Sequence, residues 1–232
     1  MSPSRFSNPI FVAIDTPDLD RALALAEAVG PHVGGLKLGL EFLTARGPEG
    51  LAAMAKLGRP IFADTKFHDI PNTVAGAARE IAKLGVAIFN IHASGGEAMM
   101  RAAREAAGAN VKLIAVTVLT SLDDRDLEAV GQRGPAAEQV VRLASLAKSC
   151  RLDGVVCSAH EIAAIRKACG EDFLLVVPGI RPAGSELADQ RRVMTPHEAL
   201  DAGADILVIG RPITGAADPA AAARAIVESL NG

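Results

Sequence analysis

Short aliphatic segments alternate with longer Ala-rich amphipathic segments along the chain, and this alternation predicts the fold. Short runs of β-branched and aliphatic residues are typical of buried parallel strands, whereas apolar residues spaced by three and four positions are typical of helices. Strands are predicted at 10–15, 35–39, 60–65, 87–92, 111–119, 154–158, 173–178 and 205–210. Helices are predicted between them, at 18–30, 48–58, 71–85, 95–108, 135–150, 159–169, 195–203 and 218–230, with a further short helix at 122–131.

Local signals at the helix ends support these boundaries. The helix at 71–85 has one apolar face, made by Val74, Ala77, Ala78, Ile81 and Leu84. Pro71 suits its first turn, and Gly85 suits its end. Three further helices are expected to begin with capping boxes, in which a side chain and the backbone bond reciprocally: Ser94 with Glu97, Ser158 with Glu161, and Thr195 with Glu198.

Eight strand–helix units in sequence predict a (β/α)₈ barrel, the TIM-barrel fold. An open, doubly wound parallel sheet is the alternative, because alternation alone does not show that a sheet closes. No linker, low-complexity segment or shift in composition divides the chain. Residues 1–232 are therefore expected to form a single domain.

Composition narrows the class of protein and the kinds of partner. Half of the 232 residues are hydrophobic and 22% are charged, as in globular proteins, and Tyr and Trp are absent. The net charge of −3 argues against a broad basic surface for nucleic acid or an anionic membrane, so any bound anion must be held by a local cluster. The three cysteines, Cys150, Cys157 and Cys169, lack metal-ligand spacing and are expected to be reduced, buried thiols.

Sorting signals are missing from the segments where they would be expected. Residues 1–9 are polar and lack the apolar core of a signal peptide. No apolar run approaches the roughly 20 residues that a membrane-spanning helix needs. We therefore expect a cytoplasmic protein that does not insert into a membrane.

In a barrel of parallel strands the active site lies at the carboxyl ends of the strands. Charged residues gather at these ends: Asp15 after the first strand, Lys37 in the second, and Asp64, Lys66 and Asp69 at the third. Because burying several charges is costly unless they compensate one another, this set favours a functional site over separate structural ion pairs. Asp64 and Lys66 lie two positions apart, so an extended strand would point both side chains to the same side. A lysine kept protonated beside carboxylates suits a reaction that forms a carbanion and must quench it.

The run from Asp64 to Thr73, Asp-Thr-Lys-Phe-His-Asp-Ile-Pro-Asn-Thr, resembles the signature of the orotidine 5′-phosphate decarboxylase family. Further family landmarks follow in order, at 12–15, 36–39, 90–93, 116–121, 178–182 and 210–214. The resemblance implies a barrel of the ribulose-phosphate-binding type. It also implies decarboxylation of orotidine 5′-monophosphate to uridine 5′-monophosphate (UMP) in pyrimidine biosynthesis, with no metal and no organic cofactor.

The resemblance assigns the charged residues to the chemical step. Lys66 matches the lysine that donates the proton replacing the departing carboxylate at C6 of the pyrimidine. Asp64 lies near that carboxylate in the family, and Lys37 and Asp69 complete the charged network. Asp15 falls, together with Lys37, at a position that holds ribose hydroxyls.

Further contacts are implied by the same resemblance. Thr73 falls at a ribose position, and both Asp69 and Thr73 reach into the site of a neighbouring subunit, so a homodimer is expected. Thr120 matches the residue that contacts the pyrimidine, although Ser121 next to it is an alternative contact.

The phosphate end is indicated by barrel architecture as well as by resemblance. Gly210 and Arg211 follow the eighth strand, where barrels often bind phosphate. The seventh strand leads into a long polar loop at 178–194, and such loops inside compact domains are usually functional lids or disordered. By resemblance, Arg181 and Gln190 of this loop close over the phosphate.

Other interpretations stay open. A magnesium-dependent sugar-phosphate barrel enzyme, of the keto-gulonate-phosphate decarboxylase or hexulose-phosphate synthase type, shares the D-x-K-x-x-D pattern but typically has an acidic residue on its second strand. Lys37 stands there instead, and its positive charge disfavours a divalent cation. A non-catalytic nucleotide-binding barrel would need only the phosphate contacts, and the intact acid–base set argues against it. His68 is interpreted as a helix-entry residue and His92 as a residue that lines the pocket, without a catalytic role.

Overall fold

The structure is a computed structural model that describes residues 6–132, 134–181 and 194–230. Strands and helices alternate through these residues. The strands are β1 (Ile10–Ile14), β2 (Gly35–Leu38), β3 (Ile61–Phe67), β4 (Ile88–His92), β5 (Lys112–Val116), β6 (Gly154–Val156), β7 (Leu174–Pro178) and β8 (Ile206–Ile209). The α-helices are α1 (Leu19–Val29), α2 (Leu40–Ala55), α3 (Pro71–Ala82), α4 (Gly96–Ala107), α5 (Asp124–Ala129), α6 (Ala136–Ser149), α7 (Ile162–Cys169), α8 (Pro196–Asp201), α9 (Arg211–Thr214) and α10 (Pro219–Glu228).

The eight strands close into a barrel in chain order. Every neighbouring pair is parallel, and β8 returns to β1 with Ile10 opposite Leu207. The predicted (β/α)₈ barrel is therefore confirmed, and the open doubly wound sheet is wrong. Closure brings all eight carboxyl ends to one mouth, so residues far apart in sequence can share a site there.

Side chains that alternate along the strands form two apolar layers. The inner layer fills the barrel with Phe11, Ala13, Phe62, Ile88, Ile114, Leu174, Val176, Ile206 and Val208. Their neighbours in sequence, such as Val12 and Phe89, belong to the larger cluster that the strands share with the helices. By the same alternation Lys37, Asp64 and Asn90 take inward positions above the inner layer, at the mouth.

Two of the three predicted capping boxes form: Thr195 with Glu198 opens α8 as expected, whereas Ser158 with Glu161 opens a 3₁₀ turn at Ala159–Glu161 that precedes α7. Thr195 Oγ1 accepts a hydrogen bond from the Glu198 backbone N–H at 3.3 Å, and the Glu198 carboxylate accepts one from the Thr195 N–H at 2.8 Å. The Ser158 backbone N–H likewise donates to the Glu161 carboxylate at 2.8 Å. These bonds satisfy N–H groups that have no partner inside a helix.

The box at Ser94 is wrong, because Ser94 lies inside a 3₁₀ turn at Ala93–Gly95 and the N-cap of α4 is Gly95, which makes no side-chain cap bond. Glu97 instead forms an ion pair with Arg101 at 2.7 Å, one helical turn away. The single-turn helix α9 is not predicted, since four residues are too few to show a helical period. Strand β5 ends at Val116, before the predicted end at 119.

Helix α2 begins at Leu40, well before the predicted start at 48. Gly47, with φ of 55°, and Pro48 interrupt it, so the helix is kinked at that point. Proline is typical of a first helical turn, and Gly39 at the true start offers no side-chain cap. The sequence signals therefore marked only the second half of the helix.

Two predictions about the whole chain can be compared with the described residues. No helix in this part of the chain is long and apolar enough to cross a membrane. Cys150, Cys157 and Cys169 are all buried and free, as the sequence predicts.

Gly154 at the start of β6 offers a test of how tightly the barrel is closed. A Cβ at this position would lie 2.1 Å from the Leu174 carbonyl oxygen of β7, and backbone cannot give way as a flexible side chain can. We expect Gly154→Ala to lower the free energy of unfolding by roughly 1–3 kcal/mol or more, as overpacking does. Urea denaturation of the variant and the wild type measures this.

Gly76→Ala is the matched control, because no atom lies within 4 Å of a Cβ at Gly76 in α3. It should raise the free energy of unfolding by about 0.5–1 kcal/mol, the usual gain in a helix interior. A Gly154→Ala variant as stable as the wild type would contradict the close approach of β6 and β7.

Candidate active site

The third strand departs from regular geometry where the charged signature begins. Strand β3 extends to Phe67, past its predicted end at 65, and its register with β4 shifts between Ala63 and Phe67. Lys66 lies within this irregularity with φ of 51°, in the left-handed region. A non-glycine residue held there costs about 1–3 kcal/mol and is a frequent feature of functional sites. The Lys66 N–H donates to the Asn90 Oδ1 at 2.7 Å, so a side chain of β4 stabilises the unusual backbone.

Four charged side chains from three strands form a chain of ion pairs, which we call the charge cluster: Asp15, Lys37, Asp64 and Lys66. Lys66 Nζ lies 2.5 Å from Asp64 Oδ1, and Lys37 Nζ lies 3.4 Å from Asp64 Oδ2. Lys37 also lies 3.3 Å from Asp15. The side chains of Lys37, Asp64 and Lys66 are 11%, 14% and 27% exposed, whereas that of Asp15 is 54% exposed. Asp64 is thus the shared partner of both lysines in a largely buried part of the mouth.

The protonation state of Asp64 is decided by two opposing effects. Burial alone would raise its pKa, because a carboxylate loses its hydration. The charges of Lys37 and Lys66, with hydrogen bonds from Lys66 and Asn90, outweigh burial and hold the pKa of Asp64 below its usual value. Asp64 is therefore ionised at neutral pH and balances the neighbouring positive charge.

A cavity of about 200 Å³ opens above the charge cluster. Its floor includes Lys37, Asp64 and Lys66, and its remaining wall is mostly apolar: Phe62, Val116, Val118, Leu119, Val156, Cys157, Val176, Pro178 and Val208. Thr120 also lines the cavity, and Ser121 is not among the lining residues. A flat, mostly apolar ring with polar edges would fit this combination of charge on one side and hydrocarbon on the others.

Asp69 and Thr73 do not join the charge cluster of their own chain. Both side chains are exposed, and the Asp69 carboxylate accepts a hydrogen bond from the Ile70 N–H at 2.6 Å. Within the described ranges Asp69 makes no ion pair with either lysine. Ile70 beside it is 66% exposed, and Leu40, which follows the neighbouring strand β2, is 52% exposed.

The candidate phosphate residues lie at the ends of β7 and β8. Gly210 follows β8 and precedes α9, so Arg211 stands at the first position of that turn and is exposed. Arg181 is buried, and its backbone N–H donates to the Met194 carbonyl at 3.1 Å, which joins the two sides of the long loop. Gln190 lies outside the described residues.

Two histidines flank the charge cluster on the β4 side. The rings of His68 and His92 lie 5.6 Å apart at an angle of 30°. Burial first, and then electrostatic repulsion by His68 and Lys66, lowers the pKa of His92. His92 is thus neutral at neutral pH and adds no charge to the mouth. It is not among the residues that line the cavity, which does not support its interpretation as a pocket-lining residue.

Asn90 is the site residue that sequence reasoning missed. It is completely buried, and its amide contacts both Asp64 and Lys66. The sequence did contain a signal, since Asn90 is the one polar residue in an otherwise apolar run from 86 to 91. A polar residue in such a run needs a buried hydrogen-bond partner, and the nearest strand offers the charged signature.

Fold and site together define the class: a (β/α)₈-barrel enzyme with a lysine–carboxylate cluster at the carboxyl ends of its strands. The sequence profile of the orotidine 5′-phosphate decarboxylase / HUMPS family matches residues 8–226, and the chain belongs to this family.

Individual relatives match over nearly their whole length. The chain is 58% identical over 224 residues to the orotidine 5′-phosphate decarboxylase of Novosphingobium aromaticivorans, covering 97% of this chain and 100% of the relative. It is 55% identical over 231 residues to that of Paramagnetospirillum magneticum, covering 96% and 98%. The crystal structure of orotidine 5′-phosphate decarboxylase from Lactobacillus acidophilus superposes with a TM-score of 0.86 at 39% identity, covering 97% and 100%.

The position of Asp64 between two lysines can be tested by titration. We expect the Asp64 carboxyl to titrate below the usual range of an aspartate, and Lys37→Met to raise this pKa because burial remains while the first of the two charges is lost. Carbon-13 NMR of the carboxyl carbons gives the pKa directly. A depressed pKa adds stability above the unfolded-state pKa, and this stability is lost as the pH falls through the folded-state value.

Lys83→Met is the control for this titration, because Lys83 pairs with Glu80 on the surface and contacts no residue of the charge cluster. It should leave the Asp64 titration unchanged. If Asp64 titrated at the same pH in Lys37→Met as in the wild type, the ion pair between Lys37 and Asp64 would be wrong.

Proposed function

We propose that this protein decarboxylates orotidine 5′-monophosphate to UMP in de novo pyrimidine biosynthesis, and that Lys66 protonates the C6 carbanion. The observation that carries the proposal is the Lys66 ammonium, held 2.5 Å from Asp64 at the floor of a mostly apolar cavity. The names of the family and of the similar chains support the reaction. As a step of nucleotide synthesis, it is expected in the cytoplasm.

The charge cluster suits the electronic demand of this reaction. The bond between C6 and the carboxylate breaks, CO₂ leaves, and the electron pair stays on C6. A fixed ammonium beside C6 stabilises that developing negative charge, and the effect is larger in an apolar cavity than in water. The Nζ–H bond of Lys66 then breaks as the C6–H bond forms, and solvent returns a proton to Lys66.

Asp64 has two roles in this proposal. Its negative charge orients both lysine ammonium groups, as the ion pairs indicate. It would also lie near the substrate carboxylate, where repulsion raises the energy of the bound substrate relative to the transition state. Lys66 is the primary element, because it both stabilises the charge that develops on C6 and supplies the proton.

The remaining residues bind the nucleotide. Asp15 and Lys37 are proposed to hold ribose hydroxyls, since Lys37 lines the cavity and Asp15 pairs with Lys37 at 3.3 Å. Thr120 lines the cavity and is proposed to contact the pyrimidine. The phosphate is assigned to the ends of β7 and β8, with Arg181, Gly210 and Arg211 as candidate residues. Gln190, outside the described residues, is a further candidate by resemblance alone.

We further propose that the enzyme is a homodimer in which Asp69 and Thr73 serve the neighbouring site. Both are exposed and stand apart from the charge cluster of their own chain. Exposed Ile70 and Leu40 follow the neighbouring strands β3 and β2, and a partner subunit there would bury them. Across a two-fold axis each subunit would supply these residues to the other.

Turnover of orotidine 5′-monophosphate with EDTA present tests the reaction directly. We expect full activity, whereas a magnesium-dependent sugar-phosphate enzyme would be inactive on this substrate and lose its own activity with the chelator.

Lys66→Ala should lower kcat by more than the roughly 10²–10⁴ that general acid catalysis contributes, since charge stabilisation is lost too.

Lys83→Ala, which removes a surface lysine, is the control and should keep wild-type kcat. Circular dichroism checks that both variants are folded. If folded Lys66→Ala retained more than about a tenth of wild-type kcat, a loss far too small for a proton donor, the role of Lys66 would be refuted.

The shared site predicts complementation between two inactive variants. Lys66→Ala and Asp69→Ala homodimers should each be nearly inactive. After subunit exchange about half of the dimers are mixed, and one site in each combines Lys66 from one chain with Asp69 from the other. About a quarter of all sites should then regain wild-type turnover, with mass spectrometry used to verify exchange. Absence of recovery in exchanged dimers would show that Asp69 acts within its own chain.

A further inference from the structure

Asn90 lies between the two charged side chains that carry the proposed chemistry. It is completely buried on β4, with apolar Phe89 and Ile91 on either side in sequence. Its Nδ2 donates to Asp64 Oδ1 at 2.7 Å, and its Oδ1 accepts from the Lys66 backbone N–H at 2.7 Å. A carboxylate can only accept and a backbone N–H can only donate, so the chemistry of the two partners fixes the orientation of the amide.

The bond to Lys66 replaces a missing contact of the sheet. The register between β3 and β4 breaks between Ala63 and Phe67, and the regular ladder is interrupted there. The N–H of Lys66, with its φ of 51°, points to the Asn90 side chain instead of to a neighbouring carbonyl. One buried amide therefore bonds both the Lys66 backbone and the Asp64 carboxylate.

We propose that Asn90 is a positioning residue for decarboxylation, which holds Asp64 and Lys66 in fixed relation so that the Lys66 ammonium lies at the reacting carbon. The inference rests on the proposed function. The proposed phosphate contacts lie at the ends of β7 and β8, across the barrel from Asn90 on β4, so Asn90 acts mainly on the chemical step. A displacement of about 1 Å at a reacting group can reduce a rate about a hundredfold.

Thr65 offers a matched control between the same two strands. Its Oγ1 donates to the Asn90 backbone carbonyl at 2.6 Å, and the residue is buried, but its side chain contacts neither Asp64 nor the Lys66 ammonium. Thr65→Val removes one buried hydrogen bond between β3 and β4 and keeps the shape of the side chain. A purely structural role of Asn90 would make the two substitutions equivalent in their effect on kcat.

The kinetic test compares Asn90→Ala with Thr65→Val on orotidine 5′-monophosphate. We expect Asn90→Ala to lower kcat about a hundredfold with KM changed less than about threefold, and Thr65→Val to keep kcat within about threefold of the wild type. If Asn90→Ala does not fold, Asn90→Ser, whose hydroxyl can still meet one buried partner, replaces it. Equal losses of kcat in the Asn90 and Thr65 variants, or a loss confined to KM, would overturn the inference.

A second measurement does not depend on activity and separates this inference from the proposed function. Carbon-13 NMR should show a higher pKa of Asp64 in the Asn90 variant than in Thr65→Val, since only the former loses a hydrogen bond to the carboxylate. The other charged or titratable groups near it, Lys37, Lys66 and His92, are unchanged in both variants. If the wild type were inactive on orotidine 5′-monophosphate but the Asp64 pKa shifted as expected, the proposed reaction would be refuted and the contact between Asn90 and Asp64 would stand. An active wild type with unshifted Asp64 would overturn the positioning role.

Discussion

The pairing of Asp64 with both Lys37 and Lys66 is the interaction on which the site depends. A buried carboxylate is unstable by itself, and two lysines so close together would repel each other without it. The cluster is therefore stable only when all three side chains are present and held at the observed distances of 2.5 and 3.4 Å. It requires neighbouring strands in fixed register, which the closed barrel provides.

The site combines this charge balance with a local departure from regular structure. A lysine on an ordinary extended strand would follow the pleat, whereas Lys66 adopts a left-handed backbone at a break in register. The surrounding apolar wall reduces screening, so each charge at the floor has a larger effect on a bound ring than it would have in water. The left-handed backbone of Lys66, the buried Asn90 amide and the apolar cavity wall thus all affect the position or the electrostatic effect of the Lys66 ammonium group.

Much of this organisation was predictable from the sequence, for physical reasons. Eight aliphatic segments predicted the strands, and their shared carboxyl edge predicted where Asp15, Lys37, Asp64 and Lys66 would meet. The left-handed backbone conformation of Lys66 was not predictable, because it is stabilised by a hydrogen bond to Asn90 on the neighbouring strand. A local sequence pattern does not show such a contact between strands. The early start of α2 was missed because Pro48 imitates a helix start. Whether Asp69 acts in its own chain or its neighbour depends on assembly, which no local pattern specifies.

A crystal structure of the protein with UMP bound would test the central claim most directly. The account predicts the Lys66 Nζ within about 3–3.5 Å of pyrimidine C6, the distance of reacting groups, with Asp64 beside the place of the lost carboxylate. UMP bound with its C6 against another part of the cavity wall, and Lys66 directed to the ribose or the phosphate, would contradict it.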